Sequence, residues 1–311
     1  MNYSYIFGPV QSRRLGVSLG IDMVQSTICS LDCVYCECGK TEILTLERKA
    51  YADADAIIGE LTDYLRTGPA LNYITFGGRG EPTLDTGLGR ILRFLKKEYP
   101  QYACALLTNG TMFYMPEVRA DVQPFDLVLP NLDAVSEAAF RKINRPHADL
   151  TTGRIVEGLK TFRAGYHGLI WLEVFIVHGI NDTPEELGLI REAALSIKPD
   201  RVQINTLDRP GACEWVTPAV TDELQRIAGL LAPLPVEIIT RQAQNLPLWQ
   251  GSEISGNAIL SLIARRPSRI EELAALTGLT INEAGTIVSG LIDSKSICPF
   301  TIGEKTFYRT F

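Results

Sequence analysis

Short apolar runs and amphipathic segments alternate along the chain from residue 15 to residue 240. The runs LGVSLGIDM (15–23), YITF (73–76), ACALLT (103–108), FDLVLP (125–130), IWLEVFIV (170–177), RVQIN (201–205) and VEIIT (236–240) predict strands. Several are apolar almost throughout, as strands are when helices cover a sheet. Segments 53–67, 87–99, 151–165, 183–197 and 217–232 are amphipathic and predict helices. The first opens on Asp53 or Asp55, and the fourth on Asp182 or Thr183 followed by Pro184, Glu185 and Glu186. That is a capping side chain, a proline in the first turn and acids at the positive helix end. Repeated strand-then-helix order implies parallel βαβ units, closed into a barrel or wound into an open sheet.

The pattern changes near residue 246. NLPLWQGSEISGN reads as a linker, and three short helical segments follow, then a hairpin turning at Gly303-Glu304. A barrel-like domain over 1–246 and a small winged-helix-like domain over 247–311 are therefore expected. A chain of 311 residues is long enough for one large α/β unit with an accessory domain.

Hydrophobic residues at 46% and charged residues at 21% suit a globular protein. A net charge of -6 argues against a generally basic, nucleic-acid-coating surface. The opening MNYSYIFGPVQSRRLG reverses the order of a signal peptide, and no apolar run has the roughly 18 residues of a membrane span. A cytoplasmic location is expected. Disulfides are disfavoured there, so seven cysteines with a tight cluster point to metal binding or redox chemistry.

Four of those cysteines fall in CSLDCVYCEC, spaced Cys29-x3-Cys33-x2-Cys36-x-Cys38. Closely spaced thiolates on one loop can wrap an iron–sulfur cluster, and three ligands instead of four leave one iron open for chemistry. A structural four-thiolate zinc knot is the alternative, although such sites usually join two separated hairpins. Cys38, one residue beyond Cys36, is awkwardly placed to face the same cluster and is set apart from the triad.

The CxxxCxxC spacing, with Tyr35 directly before the third cysteine, resembles the signature of the radical S-adenosylmethionine (radical SAM) enzymes. The resemblance implies a partial (β/α)6 TIM-like barrel over residues 1–246. It further implies a [4Fe–4S] cluster on Cys29, Cys33 and Cys36, S-adenosylmethionine (SAM) chelated at the open iron, Tyr35 near its adenine, and an electron donor such as flavodoxin or ferredoxin. YIFGPVQSRRLGVSLGID, FGGRGEPTL, LDAVSEAAFRKINRPH and INTLDRPG are similar to the branch grouped with the wyosine-base-forming tRNA enzymes. Those enzymes carry further cysteines upstream of the triad, whereas none precedes Cys29 in this sequence. The likeness therefore carries the radical-generating machinery and not the wyosine reaction itself.

Further residues are expected around the cofactor. ITFGGRGEPTL follows the second predicted strand, and glycines at a strand end let backbone approach a ligand. The resemblance makes Gly78, Gly80, Glu81 and Pro82 a binding element for the cofactor's amino group. Thr108 and Asn109 close the third strand, where α/β proteins gather ligands. Glu173 interrupts an apolar strand and needs a partner or a function, and Asn205 ends the next predicted strand.

On the substrate side, Arg13, Arg14, Lys142, Arg145, His147 and Arg209 lie in loops that could form an anion-binding mouth. His178 is a candidate proton-transfer group, set against a structural role. Cys213 is a candidate hydrogen-atom donor or second metal ligand, set against a small apolar filler. The third C-terminal helix has no Lys or Arg, and residues 251–311 carry six basic and six acidic side chains. DNA binding by that unit is therefore not expected. A tRNA base and a protein or peptide side chain remain as targets. A zinc-stabilised winged-helix adaptor is the rival from another class.

Overall fold

A computed structural model describes residues 3–239, 256–265, 267–302 and 305–310. The expected boundary at 246/247 and the turn at Gly303-Glu304 lie outside the described residues. In chain order the first elements are β1 (Ile6–Ser12), β2 (Gly16–Ile21), β3 (Ile28–Cys29), β4 (Ile43–Leu44), α1 (Ala54–Leu65), β5 (Tyr73–Phe76) and α2 (Leu88–Glu98). There follow β6 (Ala103–Thr108), α3 (Pro116–Val122), β7 (Leu127–Pro130), α4 (Glu137–Ile143), α5 (Thr152–Gly165), β8 (Leu169–Phe175), α6 (Pro184–Ile197), β9 (Arg201–Asn205), α7 (Thr221–Leu230) and β10 (Val236–Ile238).

The main sheet runs β1-β2-β5-β6-β7-β8-β9-β10. β1 pairs antiparallel with β2, and each later neighbour pairs parallel. Six strand-to-strand crossovers carrying helices thus link seven parallel strands, the arrangement of a partial α/β barrel. Asp53 caps α1 and Thr183 caps α6, each accepting from backbone N–H groups of the first turn.

Alternation along the strands sorts side chains between two faces. Ile74, Phe76, Cys104, Leu106, Val128, Ile170, Leu172, Val174, Val202 and Ile204 are buried in the core shared with the helices. On the opposite face Ala105, Leu127 and Leu129 pack with Tyr73, Leu107 and Trp171. Leu15, from the turn between β1 and β2, is buried in that second cluster. The hairpin thus tucks its tip into the concave side of the sheet. The strand β1, before residue 15, is not among the predicted ones; it is ordered by antiparallel pairing with β2.

The C-terminal residues form α8 (Gly256–Arg265), α9 (Ile270–Thr277), α10 (Ile281–Asp293) and a hairpin of β11 (Ile297–Ile302) with β12 (Lys305–Thr310). They have their own core of Ile259, Ile263, Leu273, Val288 and Ile297. Burying each such side chain contributes about 1.5–3 kcal/mol. Among the described residues no single helix is long and apolar enough to cross a membrane.

Candidate active site

Cys29 ends β3, and the thiol-bearing loop beyond it is held by backbone hydrogen bonds to distant parts of the chain. The last carbonyls of a helix lack partners within it, and α4 offers two of them to this loop. Asp32 N–H donates to Asn144 O and Val34 N–H to Ile143 O, each at 2.9 Å, so Cys33 is bracketed on both sides. His147 N–H donates to Ser30 O at 3.0 Å, and Cys213 N–H to Val34 O at 2.9 Å. The segment after β9 also lies flat on the loop: a Cβ at Gly211 would sit 2.9 Å from Tyr35 Cα.

The sulfurs receive side-chain donors. Asn109 Nδ2 donates to Cys29 Sγ and Asn144 Nδ2 to Cys33 Sγ, both at 3.3 Å. Burial pushes the Cys29 thiol up to about 12 and the Cys33 thiol well above its ordinary range. The Cys36 thiol is lowered, first by a hydrogen bond from Cys38, against its own burial. Cys38, set apart from the triad by its spacing, is therefore that sulfur's neighbour, and it also lies 3.7 Å from Gly78 O. Buried neutral thiols resist ionising alone, whereas a metal takes them as thiolates and releases their protons.

Spacing of the sulfurs discriminates between the two metal readings. Tetrahedral zinc with Zn–S bonds of about 2.3 Å needs sulfurs about 3.8 Å apart. Among the described residues, the three-ligand group within 4.8 Å is His178, Asp182 and Glu223, and no three of the four thiols come that close. A multi-iron cluster takes its thiolates at wider separation than a single zinc, and three soft thiol donors on one loop fit such a cluster.

Glu81 caps the single turn Pro82–Leu84 and is 2% exposed. Its Oε1 accepts from Thr83 N at 3.0 Å, Thr83 Oγ1 at 2.6 Å and Thr108 Oγ1 at 2.6 Å, and its Oε2 from Asn109 N at 2.8 Å. Burial raises its pKa while these donors oppose the rise. Glu81 thereby ties the ends of β5 and β6 together and orients Asn109 toward Cys29. The two expected glycines have a packing reason: a Cβ at Gly78 would lie 2.3 Å from the Asp22 carboxylate, and one at Gly80 2.5 Å from Ile28 O. Both are pressed against the segment that delivers Cys29.

Tyr35 stacks on Phe175, with ring centroids 3.8 Å apart and planes 9° apart, and its hydroxyl donates to Asp133 Oδ2. Asp133 also accepts from Asn144 Nδ2 at 2.7 Å and Phe175 N at 2.9 Å. Burial raises the pKa of both Tyr35 and Asp133. Asp133 and Asn144 are absent from the sequence-based candidates. Both fall inside LDAVSEAAFRKINRPH, one after β7 and one at the end of α4.

Glu173 finds its partners on the concave face: Arg14 forms an ion pair with it, and Asn205 Nδ2 and Asn131 Nδ2 donate at 3.2 and 3.4 Å. Burial lowers the Arg14 pKa to about 10, which leaves it charged at neutral pH. The expected anion-binding mouth does not assemble as a set. Arg14 is committed to Glu173, and Arg209 lies 3.5 Å from Glu37 and 2.5 Å from Glu272. Arg145 lies 3.7 Å from Asp32 and donates to Cys213 Sγ at 3.3 Å, His147 faces Asp149 at 3.8 Å, and Lys142 is exposed. Arginines bound to internal acids are structural cations first. Cys213 belongs to no metal-spaced group among the described residues.

His178 is exposed and pairs with Glu223 at 2.8 Å and Asp182 at 3.1 Å. The bond to Glu223, then the charges of Glu223 and Asp182, raise the imidazole above its ordinary 6.5. A group with a raised folded pKa stabilises fully below the unfolded value and loses that contribution as pH rises through the folded one. The Tm deficit of His178→Gln is therefore expected to be largest between about pH 5 and 6.5 and to shrink as pH rises further. A deficit constant from pH 5 to 9 in thermal melts would show that the charge of His178 does nothing.

A cysteine loop at the edge of a parallel partial barrel, beside a turn whose Glu81 N–H donates to Ile28 O at 3.0 Å, is the arrangement expected of a SAM-dependent iron–sulfur enzyme. Residues 23–192 match the Radical SAM superfamily, and the chain belongs to that family. Members hold a [4Fe–4S] cluster and SAM, and membership makes this protein an enzyme. A UPF0026 protein of Methanocaldococcus jannaschii is 32% identical over 311 residues, covering 97% of this chain and 94% of that protein. A protein of Brachyspira hyodysenteriae named GTPase Obg is 34% identical over 288 residues, 92% of this chain; the match spans 42% of its length. Among solved structures, a radical SAM methyltransferase from Sphaerobacter thermophilus aligns with TM-score 0.55 at 15% identity, over 71% of this chain and 65% of that one. TYW1 with a lysine-pyruvate adduct bound aligns with TM-score 0.50 at 13% identity, over 72% and 75%. At these identities the two structures speak to the fold alone.

Proposed function

We propose that Cys29, Cys33 and Cys36 hold a [4Fe–4S] cluster with one iron open to SAM, and that the protein generates a 5′-deoxyadenosyl radical to modify a substrate. The observation that carries this reading is a loop of three half-buried cysteines, two of whose sulfurs meet amide donors from the ends of β6 and α4. When bound and reduced by a donor such as flavodoxin or ferredoxin, the cluster supplies the one electron that splits SAM into methionine and the radical. The chain's own contribution is placement. Glu81 fixes the turn after β5, Tyr35 is immobilised between Phe175 and Asp133, and the segment at Gly211 covers the loop from above.

For the substrate, a tRNA base is the reading supported by likeness to the wyosine-related branch. A protein side chain is favoured by a second observation. Helix α10 carries acids and no Lys or Arg, so it offers phosphate no attraction. We read residues 247–311 as a winged-helix-like domain packed on the 1–246 barrel through Arg209, which bonds Glu272 and, at 3.4 Å, Pro267 O.

The test is anaerobic reconstitution with iron and sulfide, then incubation with SAM and dithionite. About four irons per chain and 5′-deoxyadenosine formation are expected. One zinc and no iron–sulfur absorbance, or a full cluster without SAM cleavage, would sink the reading. Anaerobic co-purification then separates the substrates by whether tRNA or a polypeptide accompanies the protein.

A further inference from the structure

Asn144 is 2% exposed at the end of α4, and its carboxamide is held from two sides. One Nδ2–H donates to Cys33 Sγ at 3.3 Å and the other to Asp133 Oδ2 at 2.7 Å. Its Oδ1 is buried with no hydrogen-bond partner among the described residues. An orphaned buried carbonyl is costly, yet turning the amide over would aim that oxygen at the Asp133 carboxylate and at a sulfur. The carboxylate therefore fixes which end of Asn144 faces Cys33. Asn109 is set in the same way: its Nδ2 reaches Cys29 Sγ and, at 2.8 Å, Ser30 Oγ, while its Oδ1 accepts from Thr111 N at 3.0 Å and Thr111 Oγ1 at 2.8 Å. Two carboxamides, from the ends of β6 and α4, thus present N–H groups to two of the three sulfurs.

We infer that Asn144, with Asn109, is a positioning residue that sets the reduction potential of the cluster. This rests on the reading of Cys29, Cys33 and Cys36 as cluster ligands. An N–H directed at a thiolate withdraws electron density from sulfur, and it does so more effectively when the cluster has gained an electron and the sulfur is more negative. The donors therefore stabilise the reduced form relative to the oxidised one, one of the recognised ways in which a protein tunes an iron–sulfur potential. The requirement is specific here. The carboxylate of Asp133 bonds Asn144, and that of Glu81 bonds the backbone N–H of Asn109, so each donor is held by an acid close to its sulfur. The two amides therefore act at the sulfurs, and the acids act by holding the amides in place.

The test uses the full chain, reconstituted anaerobically, with iron content and absorbance measured first and the potential read by EPR-monitored redox titration without SAM. Asn144→Leu keeps the side-chain volume and removes the donor. It is expected to hold about four irons and to shift the oxidised-to-reduced ratio at a fixed solution potential about tenfold toward oxidised, which is a fall of about 59 mV for one electron. Asn109→Leu is expected to shift it the same way. A second measurement needs no variant: wild-type protein with 15N-asparagine should show a weak 15N coupling to the reduced cluster by pulsed EPR. Unchanged potentials in variants with full clusters, or no 15N coupling in the wild type, overturn the inference and leave the cluster reading intact. Failure of the wild type to bind iron overturns both.

Discussion

Cys33→Ala is expected to leave reconstitution with less iron than the wild type and to lose SAM cleavage by more than about 100-fold, since loss of mere outer partners of a metal ligand already costs about 10–100-fold. The effect should be large because Cys33 is the most tightly placed of the three. Its flanking amides are bonded to Asn144 O and Ile143 O, and its sulfur to Asn144 Nδ2. No neighbouring thiol can slide into that position while the bracket holds. Those backbone bonds do not involve the side chain, so the variant should fold with a wild-type circular dichroism spectrum. Iron analysis and 5′-deoxyadenosine formation decide the matter: a folded variant with four irons and wild-type cleavage removes Cys33 from the ligand set.

Arg14→Ala should destabilise the protein by about 3–5 kcal/mol, the usual result of leaving one member of a buried ion pair uncompensated. Glu173 has side-chain exposure of 9%, and among the described residues it meets, apart from Arg14, two amide donors at 3.2 and 3.4 Å. Neither neutralises a charge. The loss should appear as a lower urea midpoint with an unchanged slope. Replacing both partners by apolar groups of similar size, Arg14→Met with Glu173→Leu, should recover most of it, because the pair's own net contribution is small against its desolvation cost. If Arg14→Ala unfolds at the wild-type midpoint, the pair is not what anchors the hairpin tip.

These two residues also show what could be read from the chain. The three cysteines proposed as ligands stand out in the sequence because a ligand set on one loop is local, and its spacing is visible without the fold. The seven parallel strands and five longer helices are legible for a similar reason, since burial imposes periods of 2 and 3.6 on the residues themselves. Arg14 is different. Its neighbours in sequence read as a polar turn, and its partner Glu173 is an isolated acid in an apolar strand; nothing local says that the two meet. The same holds for Asp133, in the loop after β7, and for Asn144, at the end of α4, a helix of seven residues too short to show a period. Gly78 and Gly80 are a mixed case. The residue type is demanded, but by Asp22 and Ile28 pressing from the preceding segment.

The bracket around Cys33 limits how far the ten-residue motif can travel. CSLDCVYCEC supplies the thiols, but the acceptors that shape it belong to residues 143 and 144, the cover to residue 211, and the donors on sulfur to residues 109 and 144. A peptide of that sequence, or the loop grafted onto another scaffold, would keep its ligands and lose the surroundings that hold them apart and shield them from water. The proposed cluster site is in this sense a property of the whole barrel: the motif marks where it is, and segments 80 or more residues away decide what it is.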